Sequence, residues 1–319
     1  MVRSWFVERV PRLWALWAAS RPSQLALIGL LYVLGIGMTT TGPPIVADGA
    51  TVNTPADVVA PGFSMGVVAG AVALLLVAVA VHYANECADA DTDALTDRTP
   101  FSGGSGALVE TGLPVSFLRV AMVVACAAAV GAVLSGVVTG GLPLDAVCIL
   151  LVVLVAGVAY SVPPVALVRR GVGEPVNAVL GGVLLPVYGV AVVATPTGSA
   201  ALAVVPFTLV VGCNLLAVHW PDRRADEAVG KRTLAVRWEP ERIRLAFATL
   251  AMLAAVVTVG LWWGGILPGV VALAHLAPVP FLVWGWSTLT RRLSPLPAVT
   301  AMVTLAVSAT VTWWWVGVG

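Results

Sequence analysis

Residues 62–93 read GFSMGVVAGAVALLLVAVAVHYANECADADTD. The first 23 of them, 62–84, contain no Asp, Glu, Lys or Arg, whereas the last nine contain Glu86, Asp89, Asp91 and Asp93. About 20 apolar residues at a rise of about 1.5 Å each cross roughly 30 Å of hydrocarbon. The stretch therefore reads as a membrane-spanning helix that arrives at one face of the bilayer carrying carboxylates.

The rest of the chain supports this reading. Further apolar runs of spanning length fall near residues 24–42, 115–139, 144–161, 176–196, 200–219, 245–263, 267–287 and 296–316. Of the 319 residues, 59% are hydrophobic and 10% charged, with a mean hydropathy of +0.98. A water-soluble domain carries about a quarter charged residues, so this chain cannot cover itself with a solvated surface. The expectation is an all-α polytopic membrane protein of nine transmembrane helices. A net charge of +1 supplies no field to attract nucleic acid. Cys87, Cys126, Cys148 and Cys213 lack the paired spacing of a disulfide framework or CxxC metal site.

The basic residues orient the spans. Arg3, Arg9, Arg12 and Arg21 precede the first, Arg98 follows the second, and Arg119 lies near the start of the third. Arg169 and Arg170 follow the fourth, a cluster from Arg223 to Arg244 follows the sixth, and Arg291 and Arg292 follow the eighth. With nine spans all of these lie on one side, which by the positive-inside rule is the cytoplasm of a cell-membrane protein with an external C-terminus. The N-terminus has no uninterrupted apolar core with a cleavage site. Phe6, Val10, Leu13, Trp14 and Trp17 repeat at helical spacing, so residues 1–23 read as an interfacial helix attached to a single membrane domain, 1–319. Tryptophans at 262–263 and 313–315 fit an outer aromatic belt, and Trp284 and Trp286 an inner one.

One repeat stands out. Residues 80–89 read AVHYANECAD and residues 217–226 read AVHWPDRRAD, identical at five of ten positions and placed at the same end of helices four apart. Duplication of this kind places binding sites where the repeats meet, here as two four-helix repeats plus a ninth helix. The first copy opens the stripe Asn85-x3-Asp89-x3-Asp93, whose spacing of four puts all three side chains on one helical face. The second holds Asp222-x3-Asp226, followed by Gly230-Lys231-Arg232. Either cluster alone is compatible with solvated loop charges. Two stripes of carboxylate at a membrane boundary call for a cation between them, and hard oxygen ligands point to Mg²⁺ held with substrate phosphates. His82 and His219 sit about a turn inside the helices and are expected to be packed and hydrogen-bonded. Gly35-x-Gly37 reads as helix packing, and the glycine-rich 102–106 stretch as a flexible loop or a phosphate-approaching turn.

At these residues the chain resembles the UbiA superfamily of membrane prenyltransferases. The resemblance runs through the 85–93 stripe, the segment RTPFSGGSG at 98–106 and YSVPP at 160–164. It continues through RRGVGE at 169–174 and D-x3-D-x3-GKRTL at 222–234, in that order. Glu86-Cys87 departs from the Asp-Tyr or Asp-Phe usual there, leaving the metal stripe intact. The resemblance implies nine helices around a lateral cavity. It also implies Mg²⁺ held by Asn85, Asp89, Asp93, Asp222 and Asp226, and a polyprenyl diphosphate donor met by Arg98, Lys231 and Arg232. Tyr160, Arg169 and Arg170 are placed close to the reaction cavity, where an electron-rich acceptor captures the allylic cation. The 98–106 segment looks most like menaquinone-branch members acting on 1,4-dihydroxy-2-naphthoate. An ether-lipid glycerol phosphate acceptor, carotenoid elongation and terpene cyclisation remain open within the superfamily. A transporter is the alternative outside it, disfavoured because the acids lie at one face and not at the midplane.

The one-sided arginines generate a topology test. Single-cysteine labelling should place positions near Asp97 and Arg224 on the cytoplasmic side and positions near Ala50 on the other. Finding all three on one side contradicts nine spans.

Overall fold

In the computed structural model, residues 7–42, 44–48, 61–93, 95 and 104–318 are described, and among them the regular structure is helical. In chain order the helices are α1 (Pro11–Ala19), α2 (Pro22–Met38), α3 (Pro61–Asp93), α4 (Ala107–Thr111) and α5 (Val115–Val138). Next come α6 (Leu144–Ser161), α7 (Gly173–Val193), α8 (Gly198–Ala203), α9 (Val205–Ala228) and α10 (Leu234–Arg237). The last four are α11 (Pro240–Trp263), α12 (Gly269–Ala274), α13 (Val279–Thr288) and α14 (Leu296–Val318). Proline opens α1, α2 and α11, where its missing N–H would lack an intrahelical partner anyway.

The helices divide by what they face. In α7, 56% of the apolar window is buried inside the protein, against 17% in α5 and in α11. The outer pair present Val120, Val123, Val124, Leu134, Met252, Val256 and Val259 outward. In water such a surface would aggregate; in lipid it is the face the solvent requires. Helix α2 packs on both α7 and α14, and α7 and α14 each pack on α9.

Association in lipid relies on close packing and interhelical hydrogen bonds, because tails are as apolar as leucine. Both devices are present. A Cβ on Gly35 of α2 would overlap the Pro186 carbonyl oxygen of α7 and come within 2.9 Å of the Gly189 Cα. Pro186 follows a single π turn, Leu180–Leu184, which accommodates the proline inside the helix. Tyr32 of α2 donates to the Val67 carbonyl at 2.7 Å, and Tyr188 of α7 donates to the Gly70 carbonyl at 2.9 Å. Two buried hydroxyls thereby tie the central pair to α3. At the end away from the acids, Ala47 N–H donates to the Thr195 carbonyl and Thr197 N–H to the Ile45 carbonyl, joining the segments that follow α2 and α7.

Several expectations are refined. Helix α3 continues past the apolar run to Asp93, so the acid stripe extends a spanning helix by its last turns. Among the described residues eight segments are long and apolar enough to cross a membrane, Pro11–Thr41 counting as one. The remaining run, 200–219, lies in α8 and in α9, which continues into the polar sequence to Ala228 and is correspondingly less apolar. The 267–287 run is broken between α12 and α13, where Pro278 interrupts it. The N-terminal segment forms α1, which packs Ala15, Ala18 and Ala19 inward and leaves Leu13 and Trp17 exposed; Phe6 lies outside the described residues. Trp263 and Trp315 are exposed as belt residues should be, but Trp313 is only 2% exposed. It belongs to the core because α14 turns that face towards α2, where Trp314 covers Gly37 and donates to the Val33 carbonyl at 3.0 Å.

Gly35→Ala should separate α2 from α7 and cost about 1–3 kcal/mol, read as a lower Tm in detergent. Gly29→Ala, with nothing within 4 Å of its Cβ, is the matched control and should leave Tm unchanged or raised.

Candidate active site

The two stripes meet through one lysine. Asn85, Asp89 and Asp93 follow one another down the last turns of α3, and Asp222 and Asp226 down the last turns of α9. Lys231 Nζ lies 3.1 Å from Asp89 Oδ1 and 3.4 Å from Asp226 Oδ1. Burial alone would lower the Lys231 amine from the usual lysine range, but Asp89 and Asp226 together raise it by more, so it remains an ammonium ion.

Local sequence explains how the lysine gets there. At the end of α9 the Gly230 N–H donates to the Glu227 carbonyl at 3.1 Å and the Lys231 N–H to the Asp226 carbonyl at 2.9 Å. Gly230 has φ +75°, the left-handed conformation that glycine adopts without penalty. This is a Schellman ending. It reverses the chain so that the residue after the glycine lies over the helix's own last turn, beside Asp226. The Gly-Lys pair is therefore a helix stop that also delivers a charge.

The other residues singled out in the sequence are distributed around this bridge. Asn85 is half-buried and its Oδ1 is enclosed without a hydrogen-bond partner. Asp93 is 9% exposed and its Oδ2 is likewise unpartnered. Asp222 is half-buried one turn before Asp226. Tyr160 ends α6 within electrostatic reach of Asp89, Asp226 and Glu174. Arg169 donates to the Val229 carbonyl at 3.0 Å and Arg170 to the Pro164 carbonyl at 2.8 Å. Both are exposed, and these bonds join them to backbone carbonyls. Arg232 is exposed. Arg98 lies outside the described residues. Among the described residues no three His, Cys, Asp or Glu side chains form a ready metal cage.

His82 and His219 are hydrogen-bonded as expected, His82 Nδ1 with the Ser20 carbonyl at 2.8 Å and His219 Nδ1 with Glu174 Oε1 at 3.2 Å. The reading of individual residues passed over three others. Glu86, 2% exposed, is paired with Arg21 at 3.0 Å and accepts from both the backbone N–H and the hydroxyl of Ser105. A Cβ on Gly104, at φ +69°, would overlap the Asp93 carboxylate. The described part of the glycine-rich stretch, 104–106, is thus folded onto the acid face of α3. Glu86 was the departure from the family pattern, and that was its only signal. Glu174, buried at 4%, had none beyond its place in RRGVGE.

A model of the UbiA prenyltransferase family matches residues 42–302. The chain belongs to this family. Among solved structures, this UbiA-family protein is similar to a UbiA homolog from Archaeoglobus fulgidus bound to DMAPP and Mg²⁺. The two are 15% identical over 95% of this chain and 98% of the other, with a TM-score of 0.68. The same homolog bound to GPP and Mg²⁺ gives 14% identity over 95% and 99%, with a TM-score of 0.62. A structure of digeranylgeranylglyceryl phosphate synthase gives 11% over 96% and 98%, with a TM-score of 0.61. Identities this low establish a shared fold. No curated protein sequence matches the chain.

Lys231→Met leaves Asp89 and Asp226 facing each other without their cation and should cost about 1–3 kcal/mol, seen as a drop in Tm. Adding Asp226→Asn to Lys231→Met should recover part of that loss, because the repulsion goes with the charge. Additive losses in the double variant would show that the bridge is not energetically coupled.

Proposed function

We propose that this protein transfers a polyprenyl group from an isoprenyl diphosphate to an aromatic acceptor at the cytoplasmic face of the cell membrane, with 1,4-dihydroxy-2-naphthoate as the acceptor. The observation that carries this reading is the convergence of Asp89, Asp226 and Lys231 from two helices and a helix stop onto one point. An ammonium bridging two carboxylates is a pre-assembled array of fixed charges at the foot of a largely apolar bundle.

The residues suit Mg²⁺, which both A. fulgidus homolog structures named above contain alongside a prenyl diphosphate. Asn85, Asp89, Asp93, Asp222 and Asp226 offer oxygen donors alone, and the enclosed oxygens of Asn85 and Asp93 have no other partner. Bound there, the ion would draw charge from the departing diphosphate as a Lewis acid.

The chain's own residues account for the rest of the chemistry. The allylic C–O bond breaks with its electron pair leaving on the diphosphate, which carries about three negative charges and needs fixed cations to depart. The Lys231 ammonium supplies one, with Arg98 and Arg232 as further donors. Tyr160 supplies an aromatic face towards the developing allylic cation. The carboxylate-bearing ring carbon of the acceptor then forms the new C–C bond and loses its carboxylate as CO₂, which restores aromaticity and leaves the prenylated naphthoquinol. The surrounding helices exclude water, which would otherwise capture the cation, and their apolar walls suit the isoprenoid tail. The naphthoate reading is supported by RTPFSGGSG at 98–106, whose described end packs on Glu86 and Asp93, beside the stripe. The cytoplasmic placement is supported by the arginines that flank both acid clusters.

Asp89→Asn or Asp226→Asn should lower turnover by about 10²–10³ with the protein still folded, and excess EDTA should stop the wild type. Diphosphate release should depend on added 1,4-dihydroxy-2-naphthoate and yield a prenylated naphthoquinol. Full activity of either variant in EDTA, or equal release without acceptor together with a cyclic hydrocarbon, would overturn the proposal.

A further inference from the structure

Lys231 is the only lysine in the chain, and its side chain can bridge Asp89 and Asp226 only if residues 230–234 are held in place. The Schellman ending fixes that segment to its own helix alone. Besides the Leu234 side chain packed on the core, two backbone hydrogen bonds among the described residues tie it to the rest of the molecule: the Arg232 N–H to the Val168 carbonyl at a long 3.4 Å, and the Leu234 N–H to Glu174 Oε1 at 2.6 Å. The second is short and charge-assisted, the class of hydrogen bond that is about twice as strong as a neutral one.

Glu174 is itself well fixed. It stands in the first turn of α7, just after Gly173, whose missing side chain lets the helix start within reach of Val168 and Tyr160. A Cβ on Gly173 would lie 2.9 Å from Val168 Cα and 3.2 Å from the Tyr160 ring. Its Oε1 also pairs with His219 Nδ1 at 3.2 Å, and His219 sits on α9 one turn before Asp222. Glu174 therefore links α7, the acid-bearing helix α9 and the start of α10. Leu234 is the first residue of α10, and Thr233 before it has a buried hydroxyl with no partner. The Leu234 N–H, one of the first-turn donors that has no intrahelical acceptor, is met by Glu174.

We propose that Glu174 is a positioning residue: its carboxylate, steadied by His219, anchors Leu234 and so holds Lys231 across Asp89 and Asp226. It acts through Lys231. Its effect on donor kinetics rests on the function proposed above, but the anchoring itself does not.

Because the chain has one lysine, acylation by an amine-selective reagent, read by peptide mass spectrometry, reports on this side chain directly, with the chain's α-amine as internal reference. Glu174→Ala should raise the rate of Lys231 labelling about tenfold. Glu174→Gln retains an oxygen for the Leu234 N–H and should stay within about twofold of wild type. Leu234→Pro keeps Glu174 and removes the donor. Its control is Leu234→Ala, which keeps the N–H but loses the same packed side chain and should label near the wild-type rate. Position one of a helix tolerates proline, and Thr233 at φ −59°, ψ 160° already has the extended conformation that precedes one. The proline variant should label like Glu174→Ala and carries the test if Glu174→Ala does not fold. Wild-type labelling rates in both Glu174→Ala and Leu234→Pro would overturn the proposal. So would a rise in both Glu174 variants that Leu234→Pro does not share. Raised labelling with an unchanged donor KM and kcat would support the anchoring and count instead against Lys231 as a diphosphate contact.

Discussion

Charge at the edge of a bilayer has to be neutralised locally, because there is too little water to do it, and much of this structure is organised by that constraint. Asp89 and Asp226 share Lys231. Glu86 is matched by Arg21 and Ser105, and Glu174 by His219 and the Leu234 N–H. Apart from the local pairing of Asp226 with Lys231, these contacts cross between segments well separated in sequence, so neutralising the charge and assembling the site are the same event. An unpaired buried carboxylate would cost several kcal/mol, which makes the arrangement of these segments strongly interdependent.

The pairings need a rigid frame, and close helix contacts supply it. Gly35 lets α2 approach the Pro186 turn of α7, and Gly182 lets α7 approach α9 at Thr208. The tyrosine pair Tyr32 and Tyr188, with ring centroids 5.7 Å apart, pins both helices to α3. The helix that carries the first acid stripe is thus braced against the same elements that position the second. The outer helices α5 and α11 back the acid-bearing helices α3 and α9 on one side and present a lipid-like surface on the other.

The N-terminal segment belongs to the same system. Tyr83 donates to the Leu16 carbonyl at 3.0 Å, His82 binds the Ser20 carbonyl, and Glu86 holds Arg21. Three side chains from one stretch of α3, immediately before and within the acid stripe, fasten α1 to it. Glu86 then reaches across to Ser105 and draws the glycine-rich segment onto Asp93. The glutamate that departs from the family's usual aspartate is the centre of that three-way junction.

Hydropathy alone determined that the chain spans a membrane with helices, since runs such as 62–84 have no other stable solution in lipid. The acid stripes were legible because a spacing of four places Asn85, Asp89 and Asp93 on one helical face wherever the helix lies. Gly230-Lys231 was legible as a candidate, though not as a helix stop that folds back on Asp226. Tertiary structure decided which charges met. Nothing in the order of residues ties Arg21 to Glu86, or Glu174 to His219 and Leu234, because these pairs are 65, 45 and 60 positions apart. It also directed Arg169 and Arg170 to the carbonyls of Val229 and Pro164, a use their composition could not foretell. Local pattern fixes the face on which a side chain stands; only packing brings two such faces within about 3 Å of each other.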